Sequence, residues 1–134
     1  MVVFNIIKNK IRVLLEELNM ITIKADQGTV IYSHNAIANI VGINVMEIPG
    51  VQGMAAKNAA DGIWKMLQKD NYAKGIEIEA ENDQLAISIS IVVSYGTKFS
   101  EIAKNIIKEV KYNIENLTDL KVKNITVIIQ EVIA

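Results

Sequence analysis

A chain of 134 residues has the size of one domain built around one core. Apolar residues make up 51% and charged residues 22%, which sets disorder aside for most of the length, and a formal net charge of −1 supplies no overall field that calls for nucleic acid or an acidic ligand. There is no cysteine, so disulfides, thiolate chemistry and cysteine–zinc sites are excluded; with two Phe and one Trp, the core must rest on Ile and Val, which favour strands.

The first segment, 1–19, reads as a helical extension. Val3, Phe4, Ile7, Ile11, Leu14, Leu15 and Leu18 recur at helical spacing, so one apolar stripe is available to the chain's own domain or to a second copy. Three basic residues, Lys8, Lys10 and Arg12, flank it, and Glu16 and Glu17 follow, which favours packing over a membrane-surface helix. The segment also lacks the basic start, apolar centre and cleavage site of a secretion signal, and no apolar run reaches the roughly 18 residues of a membrane span.

From residue 20 to 134 the pattern is that of a single domain. Ile21, Ile23 and Ala25 alternate as a short strand, Gly28 marks a turn, and Val30–Tyr32 continues as a strand. Ser33 is placed to cap a helix that buries Ile37, Ile40, Val41 and Val45 and ends by Pro49-Gly50. Ala56, Ala59, Ala60, Ile63, Trp64 and Leu67 give another helical stripe, with Trp64 in the core. Ile76, Ile78 and Ala80 alternate with Glu77, Glu79 and Glu81. Asn82-Asp83 is a hairpin turn, because both residues tolerate left-handed backbone angles.

The return strand has period two without a break. Leu85, Ile87, Ile89, Ile91, Val93 and Tyr95 point one way; Ala86, Ser88, Ser90, Val92 and Ser94 point the other. Thr97 then caps a helix whose stripe is Phe99, Ile102, Ala103, Ile106, Val110, Ile114 and Leu117. Thr118-Asp119 breaks it, and Ile125, Val127 and Ile129 form a last strand. The expected fold is a two-layer α+β domain with a mixed, mostly antiparallel sheet of about 4–5 strands and amphipathic helices on one face. The small, mildly polar face bearing Ser88, Ser90 and Ser94 is left for water or a partner. With Phe4, Ile7 and Ile11 it is the candidate interaction surface.

Catalytic equipment is sparse. His34 opens a helix, and Ser33 beside it is better used as the cap than as a nucleophile. Glu77, Glu79 and Glu81 share one strand face and read as a solvated charged surface rather than a cation site. Gly96-Thr-Lys98 lacks the spacing of a nucleotide fingerprint. No catalytic, cofactor or metal residue is assigned, and the expectation is a protein that is not an enzyme. Gly50-Val-Gln-Gly53 gives an alternative. Between two expected helices it matches the element order of a K-homology RNA-binding module, with Gly50, Gln52, Gly53 and nearby Lys57 as the loop; but the loop lacks further basic residues.

The runs Ile48-Pro-Gly-Val-Gln-Gly-Met54, Tyr72-Ala-Lys-Gly75 and Ile91-Val-Val-Ser-Tyr-Gly-Thr-Lys98 resemble the alkaline shock protein family of Gram-positive bacteria. Gly28-Thr-Val-Ile-Tyr-Ser33 and Val122-Lys-Asn-Ile-Thr-Val127 match as well, so the resemblance runs from about Met20 to the C-terminus, in motif order. Met54-Ala-Ala-Lys-Asn58 through Gly75 looks most like the small stand-alone branch, often encoded beside a fatty acid kinase-like protein. The resemblance implies a cytoplasmic, non-catalytic role in envelope stress or alkaline tolerance at the inner face of the membrane. It also implies self-association and protein partners, such as a membrane anchor protein or the kinase-like protein, for which an accessory regulator is a further reading. Residues before Met20 fall outside it.

Overall fold

The computed structural model describes residues 2, 3, 5–7, 10, 18, 20–58 and 60–134. Most of the N-terminal stripe, including Phe4 and Ile11, lies outside the described residues. The described elements run β1 (Met20–Ala25), β2 (Gly28–Ser33), α1 (His34–Met46), β3 (Val51–Lys57), β4 (Trp64–Met66), a 3-10 segment (Lys69–Gly75), β5 (Ile76–Glu81), β6 (Gln84–Ser94), α2 (Phe99–Thr118) and β7 (Lys121–Ile133).

β6 is the hub of a five-stranded sheet. On one edge it pairs antiparallel with β5 from Gln84 to Ile89 and then, past Ser90, with β3 from Ile91 to Val93. On its other edge it pairs in parallel with β7 along its whole length. A parallel neighbour cannot be reached by a hairpin, and α2 supplies the crossover. β4 extends the sheet beyond β3, and β1 and β2 form a separate antiparallel hairpin. The β5–β6 turn is the Asn82-Asp83 pair, with φ of 49° and 65° at the two residues, as a tight primed turn requires.

The unbroken alternation of β6 fixes which face is core. Leu85, Ile87, Ile89, Ile91 and Val93 are buried against Ile37, Val41 and Val45 of α1 and Ile102, Ile106, Val110 and Ile114 of α2. Each such aliphatic side chain contributes about 1.5–3 kcal/mol through burial. Both helices lie on that one face, giving the two-layer α+β arrangement with a mixed sheet.

Local chemistry sets the ends of the helices. The Ser33 hydroxyl accepts from the Ala36 N–H at 3.0 Å and caps α1. α2 ends on Asp119 in the left-handed conformation. There the Thr118 hydroxyl donates to the Ile114 carbonyl at 2.6 Å and accepts from the Leu120 N–H at 3.2 Å. The Val122 N–H then donates to Glu115 Oε2 at 3.1 Å, which pins the start of β7 to the helix.

Four expectations need correction. Residues 56–67 are not a helix: β3 runs to Lys57, the chain turns at Asp61-Gly62 (Gly62 φ 69°), and β4 returns, with Leu67 N–H donating to the Met54 carbonyl at 2.7 Å. Trp64 is therefore on a short edge strand, 40% exposed, not in the core. Thr97 does not cap α2, whose N-cap is Lys98; its hydroxyl donates to the Ser94 carbonyl at 2.7 Å and closes the turn through Gly96 (φ 91°). Tyr95 does not continue the core row, because β6 stops at Ser94 and the turn throws the ring outward, 80% exposed.

Candidate functional site

The face of the sheet opposite the helices is built by the second half of each alternation. Residues opposite one another across a ladder share a face. Glu77 lies opposite Ser88 and Glu79 opposite Ala86; on the other side Thr126 lies opposite Ser88, Ile128 opposite Ser90 and Ile133 opposite Ser94. Ser88, Ser90 and Ser94 therefore do share one face.

That face is less wet than the sequence suggests. Ser90 is 7% exposed and Val92 fully buried, although neither faces the helices. Val92 sits opposite Gly53 of β3, and Gly53 lies under the side chain of Met66: a Cβ built at residue 53 would meet Met66 Cγ and Sδ at 3.1 Å. Ser94 is tied down, since the Gln52 side-chain amide donates to its hydroxyl. What the face offers a partner is a shallow surface with Ile128, Met66 and Trp64 partly exposed on one part and Glu77, Glu79 and Glu81 on another. Of the N-terminal candidates only Ile7 is described, and it is exposed.

The Gly50–Gly53 segment is not a free loop between helices. Gly50 has φ 96° and lies against Ile102, its carbonyl accepting from the Ser94 N–H at 3.2 Å; Val51 to Gly53 are already in β3, where Gln52 forms a bulge against β6. The element order on which the K-homology reading stood is absent.

Two solvent-open clefts flank the helices. One, of ≈ 330 Å³, is lined by Asn44, Glu47, Pro49, Asn105, Lys108 and Asn113 among others; the second, of ≈ 350 Å³, includes Ser33, His34, Asn35 and Ile76. Partial burial holds the His34 imidazole below its ordinary range, since desolvation disfavours the charged form. Glu77, Glu79 and Glu81 alternate along an exposed strand face and converge on nothing. Among the described residues no helix is long and apolar enough to cross a membrane.

A family model described by its cell envelope-related function, that of alkaline shock protein 23, matches residues 22–134. The chain belongs to this family. Its relatives include YloU of Bacillus subtilis, 34% identical over 113 residues (84% of this chain, 94% of that protein). Spy1614 of Streptococcus pyogenes is 36% identical over 113 residues (84% of this chain, 93% of that protein). A stress response regulator gls24 homolog of Streptococcus pyogenes is 25% identical over 103 residues, which is 77% of this chain and 58% of that protein. No solved structure matches the chain. The family identification that the ordered motifs gave is thus shown, and with it a cell envelope-related context.

Proposed function

We propose that this chain is a non-catalytic adaptor of the envelope stress response, acting by self-association and by holding protein partners at the inner face of the membrane. The observation that carries the reading is the second face of the sheet. In a two-layer domain that face has no helix upon it from any described element, and it joins small side chains at Ser88 and Ser94 to the apolar Ile128, Met66 and Trp64. Exposed apolar side chains set among polar groups on one uncovered face are a usual mark of protein contact. Family membership supplies the envelope setting, and the name of the gls24 homolog supplies the stress response. A fatty acid kinase-like protein or a small membrane anchor protein is a suitable class of partner.

The test compares the wild type with Ser88→Lys/Ile128→Lys, both on the outer strand face, as baits in the membrane fraction of cells under alkaline stress. Cross-linking and mass spectrometry should recover a defined partner with the wild type and lose it with the double variant, at unchanged melting temperature. A wild type that stays monomeric in light scattering and holds no partner removes the proposal.

A further inference from the structure

We infer that two copies join through β7, antiparallel and in one register, into a continuous sheet; this rests on the self-association part of the proposal above and names its surface. Sheet edges are the places where chains add to one another, and proteins guard them with charge, shortness or cover. Among the described residues three edges of this sheet are free. β4 has only three residues, one of them Lys65, and β5 alternates Glu77, Glu79 and Glu81 along its six. β7 is thirteen residues long, and from Asn124 to Gln130 it carries no charge and no proline. It pairs with β6 alone.

The strand is complementary to itself. Antiparallel pairing centred on Val127, the midpoint of Lys121–Ile133, leaves no overhang, and the extra residues at which β7 shifts register against β6, Lys123 and Gln130, meet Glu131 and Asn124 of the second copy. It sets Lys123 opposite Glu131 of the second copy, twice by symmetry, and brings Val122 to Val132, Asn124 to Gln130 and Ile125 to Ile129. Faces agree as well: Ile125, Val127 and Ile129 turn toward the helices, while Asn124, Thr126 and Ile128 turn away. Moving the centre by one residue sets Lys123 against Ile129 and strands the ends. The two-fold axis then stands perpendicular to the sheet. The pair of five-stranded sheets becomes one, both helix layers lie on one side, and the two open faces merge into one double-sized platform.

The chain has no cysteine and both charges are exposed, so the test is clean. In light scattering over a concentration series the wild type should dimerise. Lys123→Glu and Glu131→Lys each place like charges in contact at two symmetric positions, and each should weaken the dimer by about tenfold. An equimolar mixture of the two variants should form a heterodimer, since both contacts become attractive, and the double variant should dimerise as the wild type does. Val127→Cys, self-opposed on the axis, should form an intermolecular disulfide on mild oxidation. A monomeric wild type, a dimer that both single variants leave intact, or β7 covered by a strand of a different protein in the cross-linked complex would each overturn the pairing. Partner capture that survives loss of the dimer would leave the adaptor reading standing, so the two failures are separable.

Discussion

Asn113 of α2 donates its side-chain amide to Asn44 Oδ1 of α1 at 3.0 Å, a polar tie between helices otherwise held together by aliphatic contacts. The Asn44 amide nitrogen is buried without a partner of its own, so the pair is only half satisfied. Asn113→Ala removes the donor and takes from Asn44 the side-chain partner of its Oδ1, at a cost of about 1–3 kcal/mol. Replacing both residues by Leu should cost less than the single change. Urea denaturation of the three variants checks the order, and a double variant weaker than Asn113→Ala refutes it.

Three glycines should separate by what surrounds them. Gly50→Ala forces a side chain at φ 96° into Ile102 Cδ1, which lies 2.6 Å from the built Cβ, and should lose about 1–3 kcal/mol. Gly53→Ala meets only the flexible Met66 side chain at 3.1 Å and should lose less. Gly28 has nothing within 4 Å, and Gly28→Ala should be near neutral. Thermal melts give the ranking; Gly50→Ala melting with the wild type would contradict the packing described.

Acidification should destabilise the fold through His34. Its folded pKa lies below the ordinary value of 6.5, so the unfolded chain takes up the proton first. Stability is complete above about pH 6.5 and is lost as pH falls toward the depressed folded value. The proton is also unwelcome at the first residue of α1, beside the positive end of the helix dipole. Melting temperature against pH should flatten over this range in His34→Gln; identical slopes in the two proteins would exclude the histidine.

Much of this fold is legible in the residues because several signals agree. The eleven residues of β6 alternate without a break, Asn82-Asp83 has turn chemistry, and Ser33 precedes an apolar helical stripe. Between residues 56 and 67 the signals conflict. Ala56, Ala60, Ile63, Trp64 and Leu67 fall at helical intervals only because a turn separates two short strands. The Asp61-Gly62 pair, with Asn58 and Asp61 side chains accepting from the N–H groups of Ala60 and Ile63, was the available sign of that turn. The parallel partner of β6 was not legible, since a strand's neighbour is set by a crossover and not by its own period. Nor was the burial of Ser90 and Val92, which depends on β3 and β7 on either side. The position of the open face is legible in the alternation of β6, but its apolar character is not, because the spacing around Trp64 is that of a helix while the structure makes residues 64–66 an edge strand.

The place of β7 has a consequence for synthesis on the ribosome. Every other strand of the main sheet can assemble as soon as Ser94 has emerged, but the longest strand of that assembly still awaits its parallel neighbour through all of α2. Until Lys121–Ile133 arrives, the nascent protein exposes a bare ladder from Gln84 to Ser94 rich in Ile and Val, which suits binding by chaperones and premature pairing between polysomal neighbours alike. Any slowing of synthesis or release between Ser94 and the emergence of Lys121–Ile133 would lengthen that interval.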